Sequence, residues 1–146
     1  MTVSPTQLTL AHAETIVAAA FAEGHRLGLK PLSVAVLDPG GHLVAFGRQD
    51  GSSTLRPQIA LGKAGGALGL GVSSRKIAEM AAERPSFVAS LGPISPHGVI
   101  PAAGGVLIEG SGGALIGAVG VTGDLSDNDE LCALAGIAAA GLAARG

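Results

Sequence analysis

Four residues, "DPGG" (38–41), stand between two β-like runs, "LSVAVL" (32–37) and "HLVAFGR" (42–48). Pro39 presets its φ, and Gly40 and Gly41 admit the positive φ that a tight reversal needs. The two runs are therefore predicted to fold back on one another as a hairpin. Further along, "VLIEG" (106–110) and "ALIGAVGV" (114–121) are joined at "GSGG" and predict a second hairpin. With hairpins and no βαβ rhythm, the simplest packing is an antiparallel sheet covered by helices.

The helices are read from apolar spacing. Leu10, Ala13, Ile16, Val17, Ala20, Gly24 and Leu27 recur at three- and four-residue steps, which predicts a helix over 9–28. Thr9 is its expected N-cap and Gly28 its stop. A second helix follows Pro57 through "QIALGKAGGALGL". A short third, "RKIAEMAAE" (75–83), starts after Ser73 or Ser74 and ends before Pro85. Ser126 and Asp129 form a capping-box pattern ahead of a last helix, "ELCALAGIAAAGLAA". No charge lies between Glu130 and Arg145, so that helix should be buried on every side, most simply at a subunit interface. The expected order is α-β-β-α-α-β-β-α in one domain over residues 1–146.

Residue usage limits the partners. The chain is 47% hydrophobic and 14% charged, which supplies enough apolar side chains to offset ordering entropy. Aromatics are only 2%, and 24 glycines accompany small aliphatic residues, which suits close backbone packing. Nine Lys and Arg against 11 Asp and Glu, with few rings for stacking, exclude a nucleic-acid partner. No apolar run is long enough to cross a bilayer, and the N-terminus has no basic start. A single cysteine, Cys132, fits a reducing compartment. These features place the protein in the cytoplasm as an expectation.

The stretch "SPHGVIPAAGGVLI" (95–108) carries one ionisable group, His97, held among prolines 93, 96 and 101. A semi-rigid loop loses little entropy on binding, and an imidazole serves as a haem ligand or as an acid or base. The alternative is a surface histidine whose neighbours merely shape a turn. Lys63 sits in the apolar "IALGKAGGALGL"; facing a pocket, its amine would be desolvated and become a base, and facing out it would only solubilise the helix. Arg48 and Asp50 end the first hairpin, where a guanidinium could hold a carboxylate or a local ion pair could form. Gly104 and Gly105 would let a ligand approach the backbone.

Other residues have structural explanations. His42 reads as hairpin surface, His12 as a helix-face residue, and His25 as favouring its helix's dipole. The acids of "GDLSDNDE" (123–130) lack EF-hand spacing, and capping accounts for them. "GKAGG" lacks the Ser or Thr of a P-loop, and Cys132 falls in an apolar helix as a core residue. No haem-attachment motif is present, so any haem would be held non-covalently.

"VAVLDPGGHLVAFGRQDG" (34–51), "IALGKAGGALGLG" (59–71) and "LIGAVGVTGDLSDNDE" (115–130) together resemble the GlcG/HbpS-like family, over roughly residues 8 to 144. The resemblance implies a profilin-like α/β sandwich with an antiparallel sheet, assembled as dimers to octamers, and loosely implies haem or tetrapyrrole binding. Two readings follow. The protein is a small-molecule pocket protein that holds haem, with His97 on the iron and Arg48 or Lys63 near the propionates. Alternatively it is a cofactor-independent lyase or isomerase using His97 and Lys63 as acid and base on a small catabolic intermediate. Both place the imidazole and the amine on one shared hollow.

Overall fold

Both hairpins form. In a computed structural model that describes residues 6–145, β1 (Ser33–Leu37) pairs antiparallel with β2 (Leu43–Arg48), and β3 (Gly105–Glu109) with β4 (Leu115–Thr122). The first turn closes through Gly41 N donating to Asp38 O and Asp38 N donating to His42 O, both at 2.9 Å. Only Gly41 of the two turn glycines takes the positive φ, at 83°. The hairpins join through β1 and β4, giving one five-stranded antiparallel sheet in the order β2-β1-β4-β3-β5.

The first helix, α1 (Leu10–Leu27), is bounded as its sequence predicts. Thr9 accepts from His12 N, His12 returns the contact to Thr9 N, and Gly28 ends the helix at φ 70°. Then come α2 (Arg56–Leu70) and α3 (Ser74–Glu83). Two elements were not expected. A short α4 (Pro85–Leu91) continues after the break at Arg84, with Pro85 in its first turn, where a missing N–H costs nothing. The last helix, α5 (Ser126–Ala139), stops early, and Ala143–Arg145 pair with β3 as an edge strand, β5. The predicted Ser126–Asp129 capping box does not form: Leu125 holds the N-cap position, without a side-chain bond. In the single chain Leu131 and Leu134 of α5 are exposed, so burial of that helix on every side would need a second copy.

Both faces of the sheet are covered, which is why β1 is buried at every position and reads as an unbroken apolar run. On one face α1 and α5 pack Ile16, Ala20, Cys132 and Ile137 against Val34, Val36, Val119 and Val121. On the other, Ala64 and Ala67 of α2 meet Leu37, Leu107 and Ala118. Gly105 and Gly120 are partners across β3 and β4. A side chain on Gly120 would overlap the backbone oxygen of Ala60, and one on Gly105 that of Lys63. The paired glycines thus let the backbone of α2 rest on the sheet, which explains why small residues dominate both surfaces.

Gly120→Ala is expected to destabilise the fold by about 2–3 kcal/mol, because backbone must move to admit the methyl group. Gly69→Ala, on α2 with open space around it, should instead be neutral or stabilising by about 0.5–1 kcal/mol. Urea midpoints at unchanged slope give both values.

Candidate functional site

The loop from Ser95 to Gly104 lies along the outer side of α2, where Gly62, Gly65 and Gly66 leave room for it. Added side chains there would meet Ile100, His97 and Val99 in turn. His97 reaches from this loop to the first hairpin, and its Nε2 lies 2.8 Å from Gly41 O. A carbonyl can only accept, so Nε2 donates in this contact. Around this contact is a hollow of about 180 Å³, lined by Pro39, Gly40, Gly41, Gly65, Leu68, Gly69, Pro96 and His97.

The residue after Gly41 in the same turn is His42, which the sequence assigns to the hairpin surface. Its side chain is 81% exposed, and its Nδ1 lies 3.2 Å from Asp38 Oδ1. The same oxygen accepts from the backbone N–H groups of Gly40 and His42, at 2.9 and 3.0 Å. The His42 backbone N–H is the main cause that holds the Asp38 carboxyl below its usual range, despite some desolvation, so the group stays ionised. A carboxylate beside Nδ1 orients the ring and leaves Nε2 as the nitrogen without a protein partner, the arrangement common to metal-bound histidines. The signal was present in the sequence as Asp38 and His42 flanking one turn. Beside it, Leu43 and Phe46 of β2 are exposed. They pair with Leu37 and Ala35 on the α2 side of the sheet, and α2 covers β1, β4 and β3 but not the edge strand.

Lys63 does not share that hollow. Two positions before Gly65 on α2, it points about 200° around the helix from it. Its Nζ donates to Val121 O at 2.9 Å and to Asp129 Oδ2 at 3.3 Å, with the residues 2% and 1% exposed. Asp129 Oδ1 accepts from Asp124 N at 2.9 Å. Desolvation lowers the Lys63 pKa and raises that of Asp129, and each partner's charge works against its shift. Gly104 and Gly105 serve this packing: a side chain on Gly104 would strike Lys63 Nζ, and Gly104 sits at φ 129°. They face α2 and leave no opening to a ligand.

The remaining expected site residues lie elsewhere. Arg48 and Asp50 line a polar hollow of about 500 Å³ with His25 and Gln49, at the far end of β2 from His42. Arg48 donates to Ser52 O at 2.5 Å, and no ion pair with Asp50 forms. Asp127 and Glu130 bind Arg75. Among the described residues no group of acids, histidines and cysteine is placed to hold a metal on its own. Burial pushes the Cys132 thiol up to about 11, so it is inert as well as enclosed. No described helix is long and apolar enough to cross a membrane.

A family model described as "Haem degrading protein HbpS-like" matches residues 8–138. Among solved structures, the PduOC:Heme complex is similar at TM-score 0.85 and 19% identity, over 97% of this chain and 100% of that one. At that identity the likeness shows the fold alone. A double mutant of HbpS from Streptomyces reticuli is similar at TM-score 0.78 and 30% identity, over 94% and 89% of the two chains. Protein ORFY of Klebsiella pneumoniae is similar at 0.82 and 25%, over 97% and 96%. No curated protein matches the chain.

Lys63→Met should cost about 3–5 kcal/mol near neutral pH, because it strands the Asp129 carboxylate. Its raised pKa then rises further, and the linkage has a definite sign. A carboxyl with a raised folded pKa stabilises below that value and loses this as pH rises through it. The penalty should therefore shrink on acidification. Lys63→Met with Asp129→Leu should recover much of the loss; urea unfolding across pH checks both.

Proposed function

Since this chain belongs to the HbpS-like family, matched over residues 8–138, we propose that it binds haem non-covalently at the tip of its first hairpin. The observation that carries this reading is the exposed His42 imidazole, with Nδ1 on Asp38 and Nε2 open. His42 is assigned as the iron ligand. His97, the ligand expected from its loop, is assigned to the wall, because its Nε2 is already committed to Gly41. Should the hairpin release that contact, His97 would become a second imidazole at the same place.

The surroundings suit a porphyrin despite the scarcity of aromatic rings. Pro39, Pro96 and Leu68 bound the hollow, and exposed Leu43 and Phe46 extend the apolar surface along β2. At about 180 Å³ the hollow is smaller than the ~300–1,000 Å³ of pockets that enclose a ligand. It would receive part of the macrocycle and leave the rest at the surface. Bound haem supplies redox-active iron; the protein supplies the ligand, its orienting carboxylate and the apolar contact. Arg48 and Lys63 are removed from the propionates by their positions, one at the far end of β2 and the other sealed beneath α2.

The alternative lyase or isomerase reading requires His97 and Lys63 to act on one substrate. Lys63 is enclosed and paired with Asp129, so that reading loses its base. The proposal includes a homo-oligomer, with Leu131 and Leu134 of α5 available to a second copy.

Titrating the protein with hemin should give a saturable Soret shift at one haem per protomer. His42→Ala should weaken binding by about tenfold or more, and Asp38→Asn should weaken it less. His97→Ala should leave the ligand field unchanged while loosening the turn. Loss of the Soret shift in His97→Ala with His42→Ala unaffected would move the iron to His97. Absence of saturation in the unmodified protein would end the haem reading.

A further inference from the structure

At the opposite end of β1 from His97, a third hollow, of about 490 Å³, is lined by Lys30, Arg56, Gly123, Asp124 and Leu125. The five residues of β1 separate the two places by about 15 Å. We infer that this hollow binds a small oxyanion-bearing ligand, a carboxylate or a phosphate, held between the Lys30 ammonium and the Arg56 guanidinium.

The charges around it do not balance among themselves. Neither Lys30 nor Arg56 forms an ion pair among the described residues. Asp124 is close enough to Lys30 for their charges to attract, which offsets one of the two cations, and the nearby acids are otherwise engaged. Asp129 holds Lys63, while Asp124 accepts from the backbone N–H groups of Lys30 and Leu125 and from the Asn128 amide. Arg56 is also close enough to Lys63 for the two positive charges to oppose one another. An anion in the hollow would relieve that repulsion.

Arg56 is held ready for such a ligand. It starts α2, is only partly exposed, and spends one donor, Nη1, on Thr122 Oγ1 at 2.7 Å. The other guanidinium N–H groups have no partner within the described residues, and a planar fork of this kind matches carboxylate and phosphate oxygens. The backbone N–H groups of Asp124 and Leu125 are already used inside the turn. Recognition therefore falls to the two side chains, with the Asp124 carboxylate on the rim favouring a ligand that also bears a hydroxyl group.

Isothermal titration with sodium phosphate and, separately, sodium malonate tests this against sodium chloride at equal ionic strength. The expected result is saturable binding of one or both oxyanions and none of chloride; which one binds names the class. Arg56→Gln should lose about tenfold or more in affinity. Because Arg56 also steadies Thr122, Lys30→Gln is the decisive variant: its exposed amine forms no ion pair within bonding distance among the described residues, and the change should weaken binding severalfold without altering the melting temperature. Failure of both oxyanions to saturate, or unchanged affinity in Lys30→Gln, would overturn the inference. A hemin titration of Lys30→Gln should match the unmodified protein, so this site and the haem site fail independently.

Discussion

The direct seating of α2 on the Gly105–Gly120 pair is the contact from which the other features follow. With no side chain between them, helix backbone and sheet backbone approach closely. The helix then has two further sides, each with its own use. One buries Lys63 against Val121, Gly104 and Asp129. The other, made of Gly62, Gly65 and Gly66, is the seat on which the proline-rich loop brings His97 to the hairpin. Bulk at the glycine pair would lift the helix and disturb both sides together.

The division is also electrostatic. Removing two charges from water costs several kcal/mol per ion, and a buried pair recovers this only with good hydrogen bonding. Lys63 and Asp129 meet that condition through Val121 O and Asp124 N, which ties α2 to the start of α5 across the end of β4. Such a pair specifies packing and leaves no amine for chemistry. The imidazole and carboxylate at the hairpin tip remain in water, where a ligand reaches them without unfolding anything. A turn that is short, closed by two backbone hydrogen bonds and two more to the Asp38 carboxylate, and braced by His97, presents His42 with little freedom left to lose.

Much of this was legible in the residues, and the failures have local causes. Thr9 and Gly28 marked α1 because capping acts within a few residues, and the two glycine-rich turns marked the hairpins for the same reason. The strand at Ala143–Arg145 was hidden, since its three residues, two of them alanine, are strand only by pairing with β3. Lys63 looked like a pocket residue because its partner lies 66 positions away. The expected Ser126–Asp129 cap is absent because the helix starts one residue earlier, with Leu125 at the N-cap, and Asp129 accepts from Asp124 N instead. Asp38 and His42, four residues apart around a turn, are within reach of sequence reasoning, but their contact depends on the turn's geometry, whereas the prolines around His97 are conspicuous in the sequence itself.

The most direct test of the account reads the ring nitrogens themselves. Long-range proton–nitrogen spectra of ¹⁵N-histidine-labelled protein should show His42 protonated on Nδ1 and His97 on Nε2 before any ligand is added. On addition of gallium protoporphyrin, a diamagnetic substitute for haem, the His42 Nε2 resonance should move to a metal-bound position while His97 keeps its tautomer. A metal-bound shift at His97, or at neither ring, would contradict the assignment of the hairpin tip as the site.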